Sequence, residues 1–298
     1  MFATIDVGSN TVRMLIGTCR DGILVPHRYE RRITRLAGDF TAATGLAANS
    51  RARTLAALAE FSLLLQQNGA RCLRAVGTAA LRRASNSRDF IEQVERETGL
   101  SVEVIDGDEE ARLTTAGVLS VITPTPPDAV IFDVGGGSTE LVRISGGEIC
   151  FQRSYPFGVV RLAEECSDGQ QRQRIIDAAL HDCRDHIGGA AGTQITLIGT
   201  AGTMTTLAAV DLGLRHYDPQ LINNHRLPIA RLGQIAAQLT PLNITQRESV
   251  AGMEPGRGDL ILPGIQIAAA VAKALASSEI LIADAGLLEG TFLRACRN

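Results

Sequence analysis

Two segments of this chain read as one device written twice. Thr4-Ile5-Asp6-Val7-Gly8-Ser9-Asn10-Thr11 and Val130-Ile131-Phe132-Asp133-Val134-Gly135-Gly136-Gly137-Ser138-Thr139 share one design: an apolar strand, an Asp, an apolar residue, a glycine-containing turn and a hydroxyl residue. Each is followed by an alternating strand, a tight turn (Asp21-Gly22; Gly146-Gly147) and a third strand. Chance explains one Asp-x-Gly, but it explains two whole meanders poorly. The pattern points to an internal duplication, with two related halves facing each other across a cleft. A chain of 298 residues has room for two domains, each with its own core. The run Thr123-Pro124-Thr125-Pro126-Pro127-Asp128 cannot continue a helix and marks the expected boundary. An N-terminal domain over 1–124 and a C-terminal domain over 125–298 follow, the last helix being free to pack back on the first.

Between the two meanders the periodicity predicts helices from Asn49 to about Asn68, Ser87 to Thr98 and Asp108 to about Val121. Strands are expected at Cys72–Val76 and Ser101–Ile105. The second half is predicted to carry helices near Val159–Glu165, Gly169–Ile187, Ala201–Leu212, Ile229–Leu239 and Leu260–Ala276. Short buried strands are expected at Thr193–Ile198 and Glu279–Ile282, and a closing helix over Gly286–Arg297.

The glycine turns suggest the chemistry. Glycine permits positive φ, so consecutive N–H groups in Gly8-Ser9-Asn10-Thr11 and Gly135-Gly136-Gly137-Ser138 can converge on one phosphate. Ile198-Gly199-Thr200-Ala201-Gly202-Thr203 leaves a strand and enters a helix, whose N-terminus suits a nucleotide or a further phosphate. The lysine-containing phosphate loop and the dinucleotide glycine motif are both absent. Asp6 and Asp133 stand at strand ends beside the turns, and Glu140 follows the second, where carboxylates could hold magnesium. Glu109 and Glu110 open a helix in Gly107-Asp108-Glu109-Glu110-Ala111-Arg112. Adjacent helical residues diverge by about 100°, so only one of them faces a cleft. That one could be a general base, although acidic first turns are also common as dipole partners. Arg13, Arg82 and Arg257 are candidate phosphate clamps, because the guanidinium fork matches phosphate oxygens. Basic runs such as Tyr29-Glu30-Arg31-Arg32 read as solvated strand ends.

Composition excludes some classes. The formal net charge is -3, aromatic residues make up 4% and Trp is absent, so neither nucleic-acid attraction nor a base-stacking platform is expected. No window approaches about 20 consecutive apolar residues, and the start lacks a signal-peptide pattern, so no membrane partner is expected. Cys19, Cys72, Cys150, Cys166, Cys183 and Cys296 show no zinc spacing and read as reduced thiols of a cytoplasmic protein.

The chain resembles the Ppx/GppA family of exopolyphosphatases and guanosine pentaphosphate phosphohydrolases. The resemblance is carried by Ile5–Thr11, Gly77-Thr78-Ala79-Ala80-Leu81-Arg82, Gly107–Arg112, Asp133–Leu141, Gly199–Thr203 and Gly286-Leu287-Leu288-Glu289-Gly290, in the family's order. It implies an α/β fold of two duplicated ribonuclease-H-like domains, of the sugar kinase, actin and chaperone-ATPase superfamily, with an interdomain cleft. It implies Glu110 as catalytic base, Asp133 and Glu140 serving metal and water, and Arg13 and Arg257 on substrate phosphates. Thr11 stands where the family often has Ser, and Leu288 replaces a frequent Arg. The chain ends after the two-domain core, so processive attack on long polyphosphate is not expected.

The expected activity is magnesium-dependent release of a terminal phosphate from polyphosphate or guanosine pentaphosphate. Water would be oriented by Glu110 and Glu140, with Asp133, Glu140 and Asp6 toward the metal. Competing expectations are an ATP-dependent phosphotransferase of the same superfamily and a non-catalytic alarmone sensor. A twofold homodimer is the default assembly.

Overall fold

Strand order in the two sheets repeats, as the duplicated sequence requires. The computed structural model of the chain describes every residue except 21, 42, 43, 167, 182, 189–194, 297 and 298. Features expected at Asp21, Thr193 and Arg297 lie outside the described residues. The chain divides into a unit of Met1–Gly117 with Gly286–Asn298, and a unit of Val118–Ala285.

The first unit contains β1 (Phe2–Val7), β2 (Thr11–Arg20), β3 (Ile23–Ile33), α1 (Ala48–Gln67), β4 (Arg71–Gly77), α2 (Ala79–Arg83), α3 (Ser87–Thr98) and β5 (Val102–Val104). Next comes α4 (Gly107–Leu119), within which the chain passes to the second unit. The sheet order is β3-β2-β1-β4-β5. β1 pairs antiparallel with β2 and parallel with β4, the helix α1 supplying the crossover that a parallel pair needs. Ala3 to Val7 are all buried, as a central strand with covered faces should be.

The second unit contains β6 (Ala129–Val134), β7 (Thr139–Ser145), β8 (Glu148–Tyr155), α5 (Val159–Glu165), α6 (Gly169–His181), α7 (Arg184–Ile187), β9 (Thr196–Thr200), α8 (Ala201–Asp211), α9 (Pro219–Ile222), β10 (Arg226–Pro228), α10 (Ile229–Leu239), α11 (Ile244–Glu248), α12 (Ile261–Ala274) and β11 (Glu279–Ile282). Its sheet runs β10-β11-β9-β6-β7-β8, so β8-β7-β6-β9-β11 matches the order of the first sheet. This is the duplicated α/β architecture with two mixed sheets that the sequence led us to expect. The chain enters the unit at Val118, ahead of the proline run rather than within it. The reason is local. Thr123 N–H donates to Asn224 Oδ1, and Asn224 Nδ2 donates to Val121 O, so the run is tied to the second unit.

The single helix expected over Gly169–Ile187 is divided into α6 and α7. The Cys183 N–H reaches back only to Leu180 O, a tightened turn that breaks the α-helical ladder. The short elements α9 and α11 were not anticipated, although each carries a cap. Asp218 accepts from Gln220 N–H ahead of Pro219, and Asn243 with Gln246 forms a capping box.

The chain closes with α13 (Leu287–Cys296), which packs on β1, β2 and β4 of the first unit. Leu288 and Phe292 bury against Leu15, each burial stabilising by about 2 kcal/mol, and Thr4 Oγ1 donates to Leu288 O at 3.1 Å. The rest of the first core lies around Ile5, Met14, Phe61 and Phe90, and the second around Phe132, Leu207, Ile235 and Val271.

Candidate active site

The first turn is braced from behind by the chain that follows β3. Gly8 N–H donates to Thr11 O at 3.0 Å, closing the turn. Thr34 and Arg35 N–H groups donate to Asn10 O, and Ala37 N–H donates to Ser9 O, at 2.9 to 3.0 Å. With those carbonyls engaged, the turn presents its amide edge on the other side. Arg35 takes φ 48°, a strained value for a non-glycine residue. Neither Arg35 nor the segment after β3 was singled out in the sequence, because the bracing depends on a return of the chain that no local pattern encodes.

The second turn is built alike. Gly135 N–H donates to Ser138 O at 3.0 Å. Here the brace is the N-terminus of α5: Val159 donates to Gly135 O, and Val160 and Arg161 donate to Gly136 O. Gly158 makes this approach possible, since a Cβ there would lie 2.5 Å from the Gly136 carbonyl carbon. Gly158 was also missed, for the same reason. The matching bonds align Gly8 with Gly135 and Thr11 with Ser138, so Asp6 corresponds to Asp133.

Register then distinguishes the two turns. Asp6 on β1 faces Arg13 on β2, and Asp133 on β6 faces Glu140 on β7. Arg13 Nε and Nη2 donate to Asp6 Oδ2 at 3.0 and 2.7 Å. The first strand-end carboxylate thus has a guanidinium partner. The second stands beside another carboxylate, an arrangement that disfavours itself unless a cation offsets it. Glu140 is buried, and Ser154 Oγ on β8 donates to its Oε1 at 2.7 Å. Ser154 was not predicted, because its role depends on the β7–β8 pairing. On its other side Asp133 adjoins Thr200 at the end of β9.

The third glycine segment opens α8. Ala201 has φ 69°, a left-handed value at the helix start, and strain of this kind is stored at ligand sites at a cost of roughly 1–3 kcal/mol. Thr200 Oγ1 is committed to Ala285 O at 2.6 Å, so any role of Thr200 toward a ligand would fall to its backbone. The Arg257 guanidinium lies directly over Gly202, where any Cβ would overlap it. Arg257 is buried and bonded through Nε to Glu254 Oε2 at 2.7 Å. A buried cation at the positive end of a helix is favourable when an anion completes the group.

The paired glutamates resolve as helical geometry demands. Glu109 turns outward to Arg74 Nη2 at 2.8 Å, while Glu110 is buried. Arg82 Nη1 donates to Glu110 Oε2 at 2.6 Å and to Ile105 O at 3.0 Å. The structure therefore places Arg82 as the support of Glu110. In the second unit, burial holds the hydroxyl of Tyr155, opposite Thr139 on β7, above its ordinary pKa, so it remains protonated at neutral pH.

Among the described residues no three His, Cys, Asp or Glu side chains gather as a metal cluster. Asp133 and Glu140 supply two carboxylates, which fits an ion that keeps waters and substrate oxygens in its shell, as magnesium does. In the first unit Asp6 Oδ1 is buried without a hydrogen-bond partner.

The profile of the Ppx/GppA phosphatase family matches residues 16–298. The chain is 32% identical over 312 residues to exopolyphosphatase 2 of Mycobacterium tuberculosis H37Rv, covering 98% of this chain and 97% of the relative. It is 27% identical over 299 residues to exopolyphosphatase 1 of Mycobacterium leprae, covering 97% and 88%. Among solved structures, the Aquifex aeolicus member of the Ppx/GppA family matches with a TM-score of 0.81 at 29% identity, covering 99% and 97%. An exopolyphosphatase from Cytophaga hutchinsonii matches with a TM-score of 0.88 at 25% identity, covering 98% and 97%.

Proposed function

Because this chain belongs to the Ppx/GppA phosphatase family, we propose that it releases terminal phosphate from inorganic polyphosphate or guanosine pentaphosphate by attack of water. The observation that carries the reading is Glu110: of the acidic pair, it alone is buried and has one carboxylate oxygen pinned by Arg82.

In this reading Glu110 orients the attacking water and takes its proton. Arg82 holds the rotamer of Glu110 through its bond to Oε2. The amide edges of Gly8–Thr11 and Gly135–Ser138 cradle phosphate oxygens, and Arg13 and Arg257 add charge-assisted bonds that strengthen as charge spreads over the transferring group. Gly199, Thr200 and Gly202 present the start of α8 to a further phosphate. Asp133 and Glu140 would hold magnesium, with Asp6 as a further carboxylate, and the ion would supply charge neutralisation at the phosphoryl oxygens. The bracing of both turns means these donors need little reorganisation on reaction.

Among the described residues no helix is long and apolar enough to cross a membrane. All six cysteines are free thiols, which supports the cytoplasmic placement. The homodimer stays in the proposal, and light scattering would check it.

The test is phosphate release in magnesium from short polyphosphate, long polyphosphate, guanosine pentaphosphate and ATP. Release from one of the first three, well above ATP, supports the reading. ATP consumption only with an acceptor would replace it with a phosphotransferase, and binding without turnover would replace it with a sensor.

A further inference from the structure

The closing helix docks on β2 in a regular register. Leu288 and Phe292 bury with Leu15. A Cβ at Gly17 would lie 3.4 Å from Phe292 Cζ, so Phe292 covers Gly17 as well. Along β2 same-face residues recur every second position, about 7 Å apart. Along α13 they recur every fourth, about 6 Å apart. The two steps match, so the rung after Gly17 and Phe292 pairs Cys19 with Cys296.

Both cysteines pack against the cluster of Leu15, Leu288 and Phe292, as that register requires. The Cys296 thiol is hydrogen-bonded with Cys19, and burial, then that bond, push its pKa up to about 11. Sulfur atoms in hydrogen-bond reach across a strand–helix contact have their side chains turned toward each other, as a disulfide needs.

The other cysteines sit elsewhere. Cys72 packs with Ile5 and Phe61 in the core on the opposite face of the sheet. Cys166 and Cys183 are buried in the second unit, and Cys150 is exposed on β8. Cys19 and Cys296 are both part-exposed, so a small oxidant can reach them.

The pair also spans the two stretches of chain that make up the first unit. The chain leaves that unit at Gly117 and returns at Gly286. Cys19 lies in the first stretch, and Cys296 ends the helix that closes the second. Helix ends open at the least cost, so a bond at this position pins the part of α13 that docking alone holds weakest.

We propose that Cys19 and Cys296 form a thiol–disulfide switch, closed by small-molecule disulfides and reopened by thiol reductants, that fastens the end of α13 to β2. The thiolate of one cysteine attacks a sulfur of the oxidant, forming a mixed disulfide and expelling one thiolate. The thiolate of the other then attacks the protein sulfur of that mixed disulfide and expels the second. Two protein thiols lose two electrons and two protons, and the oxidant becomes two thiols. A reducing compartment keeps the pair open, in keeping with the cytoplasmic placement proposed above. The switch does not rest on the reading of the glycine turns as phosphate sites.

The experiment treats the folded wild type with oxidised glutathione, raised until exposed Cys150 is capped, and maps its peptides without reduction. A peptide linking Cys19 to Cys296 is expected, lighter by two hydrogen atoms than the two thiols. The thermal midpoint should rise by about 5 °C, and dithiothreitol should reverse both changes. Cys19→Ser and Cys296→Ser should each lose the linkage and the gain, while Cys150→Ser keeps both. Absence of the Cys19–Cys296 linkage once Cys150 is capped overturns the switch. A linkage that leaves the midpoint unchanged or lower overturns the fastening of α13. The wild-type measurement decides by itself should a variant fold poorly.

Discussion

Arg13 holds Asp6 by a single carboxylate oxygen, Oδ2, and leaves Oδ1 buried without a hydrogen-bond partner. In the second unit the residue in the place of Arg13 is Glu140, opposite Asp133. One duplicated scaffold thus carries a neutralised carboxylate in one half and a doubled carboxylate in the other. Under the proposed function, the asymmetry would give metal holding chiefly to Asp133 and Glu140, and substrate anion binding to the first turn.

That assignment separates two classes of variant. Asp133→Asn and Glu140→Gln are expected to raise the magnesium concentration for half-maximal velocity by about tenfold or more, as loss of a hard oxygen ligand should. Asp6→Asn should act more on substrate KM, by loosening Arg13. A magnesium titration of phosphate release for the three variants checks this. Equal magnesium shifts in all three would remove the asymmetry.

Removing Arg13 leaves the Asp6 carboxylate buried and uncompensated. Arg13→Ala is expected to cost roughly 1–3 kcal/mol, below the usual figure for a buried pair because the guanidinium is itself part-exposed. Asp6→Asn combined with Arg13→Ala should recover stability relative to Arg13→Ala alone. Urea unfolding of the two single variants and the double variant measures the coupling.

The duplicated turns were legible in the sequence because strand, Asp and glycine lie within a few residues and obey local rules. From helix periodicity Glu110 was legible only as one member of a pair; the family resemblance singled it out, and it is the buried one. Ser154 and Gly158 were not legible. Ser154 meets Glu140 only through strand register, and Gly158 is required only because α5 lands on the turn carbonyls. Arg82 was read as a phosphate clamp from its place at a strand-to-helix junction. Its bond to Glu110 spans two elements and leaves no local trace.

Ser154→Ala removes the donor that orients Glu140 and should lower kcat about three- to tenfold while raising the magnesium requirement. Ser154→Thr keeps the hydroxyl and should recover most of the loss. A serine that merely packed would leave the magnesium curve unmoved.

Gly202→Ala drives a methyl group into the Arg257 guanidinium, which is the far end of a flexible side chain and can swing away. We expect a thermal midpoint close to wild type with KM raised about tenfold or more, since a charge-assisted contact is lost. Collapse of the fold would instead make Gly202 a packing residue.

Asp128 accepts from buried Arg143 and from Ser145, and the Arg143 hydrogen bond first, then that of Ser145, holds its carboxyl below the ordinary Asp value. A lowered folded pKa stabilises above the unfolded value of about 3.9, and the contribution fades as pH falls through the folded one. Asp128→Asn should therefore melt below wild type at pH 7, and the gap should close below about pH 4. A gap that persists unchanged in acid would show that charge is not its origin.

The most direct measurement is phosphate release by Glu110→Gln beside the wild type, in magnesium, on tripolyphosphate and guanosine pentaphosphate. The account predicts that the variant folds, still binds substrate, and loses about 100-fold or more of kcat, the scale expected for a general base. Release at the wild-type rate by a folded Glu110→Gln protein would contradict it.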